Sequence, residues 1–262
     1  MKYFHFRIVV VAFLMILSVS DLQAQRRKVM NLPKYDYDPL HFGFILAANQ
    51  MLLSWKPVSG YQADYYNPGD APDMSIPDQY LELAEITMRP VPGFAVGIVG
   101  NLRLGNYFDL RLVPTLAFGD RIIEYKVNGI SYTPLGTIST PYTVTKSLPS
   151  TMVDFPLHIK YRSKRLNNFA AYLIAGGKYS IEMASTKKVG TANNNYPVKI
   201  DRNDFSAEAG VGFDFYTPYF KFGTELKMSY GMKNILVKDE FMYSSSIDHL
   251  NNKVFQLSFT FE

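Results

Sequence analysis

Few side chains able to carry acid–base or nucleophilic chemistry lie close together in this sequence. The four histidines are His5, His41, His158 and His249. His249 follows Asp248 and stands three residues after Ser246, the one loop grouping with the residue types of a serine hydrolase. That spacing does not enforce the geometry in which a base reaches its nucleophile, so the expectation there is a hydrated loop. His158 lies two pleats beyond Asp154 in an alternating stretch. The pair suits a hydrogen-bonded interior histidine better than a general base or a metal ligand. The absence of cysteine excludes disulfides, Cys-ligated zinc, thiol catalysis and a lipid anchor on a processed cysteine. No catalytic residue, metal site or cofactor is expected.

A second set of ionisable residues follows another pattern. Arg103, Asp109, Arg111, Asp154, His158, Lys160, Glu208, Asp214, Lys221, Glu225 and Lys227 fall on the polar side of stretches whose other side is apolar. Opposite charges recurring on one face suit an enclosed lumen in which they neutralise each other. The expected role is a structural polar interior.

The elements that would hold these residues are strands. The last nine residues alternate Phe255, Leu257, Phe259 and Phe261 with Val254, Gln256, Ser258, Thr260 and Glu262. An alternating strand at the chain end, aromatic on its apolar side, can close a barrel against the first strand. That first strand begins at about Leu40, with Phe42, Phe44, Leu46 and Ala48 on one face. A second carries Phe94, Val96, Ile98, Leu102 and Leu104 outward, and a third Phe108, Leu110, Leu112, Leu116 and Phe118. The fourth runs Met152 to Tyr161, the fifth Phe169 to Met183, the sixth from about Asp204 to Phe215 and the seventh Phe220 to Tyr230. The prediction is all-β, an eight-stranded antiparallel up-and-down transmembrane barrel.

Four long segments, Trp55 to Pro92, Asp120 to Ser150, Ala184 to Asn203 and Lys233 to Asn252, alternate with short links at Gly105 to Tyr107, Lys164 to Asn168 and Tyr216 to Tyr219. That places the termini and short turns in the periplasm and the long loops outside. Aromatics beside the short turns, at Tyr107, Phe108, Tyr161, Tyr216, Tyr219 and Phe220, would form a girdle at the inner interface. The third strand sets Arg103 opposite Asp109; the Tyr216 to Tyr219 turn sets Asp214 opposite Lys221 and Glu208 opposite Lys227. Alternation near Ile123 and Tyr125 suggests strands projecting beyond the membrane.

Lys2 and Arg7 precede the apolar run Ile8 to Leu17 and the small residue Ala24, which predicts a signal peptide over 1–24. The run is shorter than the ~20 residues of a membrane-spanning helix. Residues 25–39 are expected to form a solvated, extended periplasmic leader, with partner docking as the alternative, and 40–262 the barrel. The net charge is +4, and losing Lys2, Arg7 and Asp21 leaves +3, too mild to imply nucleic acid. Outer-membrane lipid is the expected partner.

Met30-Asn31-Leu32-Pro33, His41-Phe42-Gly43-Phe44, the run from Pro92-Gly93-Phe94 through Asn101-Leu102-Arg103-Leu104-Gly105 to Leu110-Arg111, and Phe155-Pro156-Leu157 resemble the PorT family of Bacteroidota. So do Gly210-Val211-Gly212-Phe213-Asp214-Phe215 and Pro218-Tyr219-Phe220-Lys221-Phe222. The resemblance implies an integral outer-membrane barrel required for type IX protein secretion and, in gliding relatives, for motility. It implies other components of that machine as partners and no chemistry of the barrel's own. The rival expectations are a structural or ligand-binding small barrel and a lipid-modifying outer-membrane enzyme.

Overall fold

The computed structural model describes residues 29–71, 78–184 and 198–262, so the signal-peptide segment lies outside the described residues. Period-two alternation dictates extended chain, and the strands are long: β1 (Leu40–Pro57), β3 (Tyr80–Arg103), β6 (Gly136–Arg162), β7 (Phe169–Glu182), β9 (Asn203–Tyr216), β10 (Lys221–Gly231) and β12 (Ile247–Phe261). One further stave is broken into β4 (Phe108–Leu112) and β5 (Thr115–Thr133), and the break falls at Val113-Pro114. Three two-residue strands, β2 (Tyr65–Tyr66), β8 (Lys199–Ile200) and β11 (Leu236–Val237), lie in the connections.

Pairing is antiparallel throughout, from β1 through β12, β10, β9, β7 and β6 to the broken stave and β3, and β3 pairs back onto β1. Among the described residues, eight staves therefore close a ring. The terminal strand seals it, with Phe44 opposite Phe261 and Leu46 opposite Phe259. Aromatics stack across these seams, as Phe44 does on Phe261 and Phe94 on Phe118. Closure leaves no sheet edge within this belt, which a bilayer requires.

The outward residues define the belt. On β6 they are Tyr161, Ile159, Leu157, Phe155 and Val153, a nine-residue run, against the 9–11 residues that a tilted membrane strand needs. But β6 has 27 residues. Beyond Val153 its outward positions become Thr151, Pro149, Ser147, Thr145 and Thr143. On β5 the same change runs from Leu116 and Phe118 to Glu124 and Lys126, and these two charges bond to Arg89 and Glu85 of β3.

On the β4–β5 stave the inward positions change in the opposite sense without any slip of parity, whereas β3 shifts register between Leu83 and Glu85 and between Pro90 and Phe94. Arg111, Thr115 and Arg121 give way to Ile123, Tyr125 and Val127, all buried. The β5–β6 pair is thus apolar outside and largely polar inside within the belt, then polar outside and largely apolar inside beyond it. Residues 120 to 150, a long segment whose alternation suggested projecting strands, form a single hairpin turning at Pro134-Leu135, and the expected first loop gives its residues 80–92 to β3. Leu53, Leu81, Leu83, Ile123, Tyr125 and Leu148 then build an apolar core with Ile235, Met242 and Tyr243 from the last long connection and Ile247 and Leu250 from the start of β12, which were expected to fall in that connection. The expected third loop is described only at its ends; residues 185–197 lie outside the described residues.

The hairpin of β9 and β10 differs in register from the expectation. Tyr216 pairs with Lys221, Asp214 with Gly223, and Lys227 with Gly210. The turn is Thr217 to Phe220, because the Thr217 hydroxyl accepts the Phe220 N–H at 3.1 Å and Pro218 occupies the first central position. Asp214 therefore does not face Lys221, nor Glu208 Lys227. Tyr216 leaves the expected girdle and lies buried at the mouth of the lumen.

Candidate functional site: the polar lumen and its two ends

Inward-facing ionisable residues arrive from every stave except the apolar wall of β1 and β3. Ten of the eleven expected interior residues are buried: Asp109, Arg111, Asp154, His158, Lys160, Glu208, Asp214, Lys221, Glu225 and Lys227. Arg103 is not among them. It stands opposite Asp109 in register, yet its Nε donates to the Gly105 carbonyl at 2.8 Å and Nη2 to Asn106 Oδ1 at 3.3 Å. A backbone and a side-chain acceptor of its own turn hold the guanidinium at the mouth, away from the carboxylate. Asp109 instead takes a hydrogen bond from Asn101, with Arg162 Nε 4.0 Å away.

The network centres on Glu225. Its Oε2 accepts from Arg111 Nη1 at 2.5 Å and from the Tyr172 hydroxyl at 3.0 Å, while Oε1 lies 3.2 Å from Lys227. Tyr172 reaches across because its neighbour is Gly212, where a Cβ would overlap the ring. Lys160 donates to Asp214 at 2.7 Å and caps the Tyr172 ring at 3.7 Å. Further toward the long loops, Glu208 takes His158 at 2.7 Å and Lys178 at 3.3 Å, and Lys178 also lies 3.4 Å from Asp154. His158 thus bonds Glu208, not Asp154. Next, Arg121 joins Glu182 at 2.6 Å and Asn252 at 2.5 Å. Such mutual neutralisation is what makes buried charge tolerable, since a lone buried ion costs several kcal/mol.

Sequence reasoning left Lys178, Glu182, Arg121, Tyr172, Arg162 and Glu262 out of the network, although alternation sets Lys178, Glu182 and Glu262 on the polar faces of their strands. Parity carried the signal for most of them: Lys178 and Glu182 alternate with outward Tyr179 and Ile181, and Glu262 continues the buried series Ser258 and Thr260. Lys221, expected to meet Asp214, bonds Glu262 at 2.7 Å.

Both ends are filled. At the long-loop end the apolar core lies over Arg121, and the Tyr125 hydroxyl donates to the Tyr243 carbonyl at 2.9 Å. At the short-turn end the leader, expected to be extended and solvated, folds over the mouth as a turn at Tyr35–Tyr37. Tyr35 stacks on His41 with centroids 3.8 Å apart and donates to Glu262 at 3.1 Å. Burial pushes its phenol well above the ordinary tyrosine range, beyond what Lys221 recovers. Asp36 accepts from Arg162 at 2.7 Å, Arg165 at 3.3 Å and the Tyr216 hydroxyl at 3.2 Å. Burial works against its ionisation, but these donors outweigh it and hold its carboxyl below the usual aspartate range. Asn31 fixes the start of the segment by donating to the Tyr216 carbonyl and to Asn168.

The loop grouping at the other end does not assemble. His249 Nδ1 and Asp248 Oδ2 are 2.7 Å apart at the surface, whereas Ser246 is fully buried and bonds neither. The remaining lumen wall is apolar: Ile45, Val99 and Val113 pack together, as do Ala47, Met51, Ala95, Ala117, Met152 and Val254. An eight-stave ring leaves room for side chains and little else.

A family model described as the outer membrane protein beta-barrel domain matches residues 23–237. No curated protein matches the chain. Among solved structures, the outer membrane protein OprG from Pseudomonas aeruginosa is 9% identical over 89% of this chain and 96% of that one, with a TM-score of 0.37. An outer membrane channel from Pseudomonas putida F1 is 8% identical over 84% and 94% of the two chains, with a TM-score of 0.26.

Proposed function

This chain belongs to the outer membrane protein beta-barrel domain family, and from that premise we propose that it serves type IX protein secretion as an accessory part that acts through its surfaces. It is an integral barrel of the outer membrane. The observation that carries an accessory rather than a conducting role is the filled lumen: interlocked charges at mid-height, an apolar core over one end and the leader across the other. A barrel so plugged offers other proteins its two rims, not a passage. The PorT-like runs, above all Asn101-Leu102-Arg103-Leu104-Gly105 and Pro218-Tyr219-Phe220-Lys221-Phe222, support assignment to that secretion machine. The buried Ser246 hydroxyl makes no bond to His249, so this grouping lends nothing to the lipid-modifying alternative.

The test is deletion of the gene in its host, followed by comparison of secreted cargo in the medium, on the cell surface and in the periplasm. Cargo retained in the periplasm and released again by the restored gene is the expected result. Unchanged secretion overturns the role and leaves a plugged outer-membrane barrel. Reconstitution in a planar bilayer addresses the lumen separately: no sustained current is expected, and stable open-channel steps would refute the plug.

A further inference from the structure

At the periplasmic mouth a cavity of about 300 Å³ lies between the leader and two of the short turns. Its wall includes Arg103, Arg162, Lys164 and Arg165 against a single carboxylate, Asp36. Arg165 is used up: its guanidinium lies 3.6 Å over the Tyr216 ring and its nitrogens donate to the Asn167 and Leu32 carbonyls and to Asp36. The other three cations are not. Arg103 uses Nε and Nη2 on its own turn, which leaves Nη1. Arg162 spends Nη1 on Asp36, has Nε 4.0 Å from Asp109 and keeps Nη2, and Lys164 makes no ion pair among the described residues. Two guanidinium edges and an ammonium in one cavity match an anion with several oxygens in different directions.

The position narrows the source. Tyr107 forms part of the same wall and its ring lies 6.5 Å from that of Tyr161, which flanks Phe108 at 5.2 Å on the outer surface. These exposed aromatics mark the height of the lipid headgroups. The cavity, at the mouth of the lumen, therefore lies at the height at which the periplasmic leaflet places its phosphates. Basic pockets at that depth are the sites at which headgroups are held.

We propose that this cavity binds a phosphate oxyanion, supplied by the phosphodiester of a glycerophospholipid of the periplasmic leaflet. Arg103 and Arg162 meet the phosphate oxygens through their free guanidinium edges and Lys164 adds a point charge from the rim. The proposal is independent of the secretion role.

The experiment titrates the purified mature chain, in non-ionic detergent, with dihexanoyl-phosphatidylglycerol, inorganic phosphate or acetate, following ³¹P line width and, for acetate, competition. Saturable binding of the short-chain lipid is expected, weakened about tenfold by Arg103→Gln, as for one charge-assisted contact, and further by adding Lys164→Gln. Neither side chain is part of the buried network, and unchanged heat resistance of both variants confirms that they fold. Equal binding of inorganic phosphate keeps the oxyanion site but overturns its lipid source. Displacement by acetate as effective as by phosphate overturns the phosphate assignment. Lipid binding unmoved by both substitutions, or absent, overturns the site.

Discussion

Replacing Glu225 by glutamine keeps the shape of the side chain and the Tyr172 contact but removes one negative charge from the centre of the barrel. Arg111 and Glu225 have side chains 1% and 0% exposed, so water cannot take over. Removing one partner of such a pair typically costs about 3–5 kcal/mol. Here Glu262 stands 3.8 Å from the other arm of Arg111 and supplies partial compensation. The lower figure of about 3 kcal/mol is therefore expected. With a urea slope of about 2–3 kcal/mol/M, that moves the unfolding midpoint down by roughly 1 M or more. The assay is urea unfolding in liposomes, followed by the fluorescence of the single tryptophan, Trp55, and by the mobility of unheated protein in SDS gels. Adding Lys227→Met to Glu225→Gln removes the second cation stranded at 3.2 Å and should restore part of the loss. A Glu225→Gln midpoint equal to wild type would refute the claim that this carboxylate holds the lumen together.

Other expectations follow from the same geometry. Leu157→Arg places a charge in the apolar belt and should cost about 2–4 kcal/mol, whereas Thr145→Arg on the same face of β6 lies beyond the belt and should cost little; equal costs in liposome unfolding would refute the belt assignment. Tyr125→Ala opens the outer core and loses its bond to Tyr243, for about 3–5 kcal/mol. Hydrogen exchange should quicken in residues 120–150 and not in β9 and β10. The Asp36 carboxyl has a folded pKa below the unfolded value of about 3.9, so docking of the leader is fully supported above that value. The support fades as pH falls through the lowered pKa, and Asp36→Asn should abolish this acid-sensitive step. Proteolysis of the leader, with an acid-active protease between pH 6 and pH 3, reads both effects.

The ring and its faces were legible because alternation is a local property: each of Phe42, Phe94, Leu157 and Phe259 declares its side by its neighbours alone. The alternation near Ile123 and Tyr125 suggested projecting strands, but a change of chemistry at constant parity hid how far β5 and β6 extend. Across residues 120 to 150, outward positions turn polar and inward ones apolar, so the segment carries no membrane signal, and Pro141 and Pro149 add the marks of a loop. Proline is tolerated there where its missing N–H would point away from a ladder. Pairings were less accessible. A choice between two four-residue turns shifted every partner across β9 and β10 by two, and Thr217 decided it through a side-chain hydrogen bond. Arg103 was misplaced for a related reason: parity states which way a Cβ points, whereas a long side chain goes to the nearest acceptors. The leader has no period to read, since its fold depends on Arg162, Arg165 and Glu262, more than a hundred residues away.

The inversion of the strands has a consequence for how the protein reaches its place. The hairpin of β5 and β6 must cross the bilayer before Ile123, Tyr125 and Val127 can find Met242 and Ile247 on the far side. Only then does that surface collapse, gaining about 1.5–3 kcal/mol for each large apolar side chain buried. The head so formed is polar and charged outside, so drawing it back would carry those groups through the apolar belt, and translocation becomes one-way, as a rivet is held by its far end. We predict that Tyr125→Ala is extracted faster than wild type when single molecules are pulled from the periplasmic side, and equal rupture forces would count against the rivet.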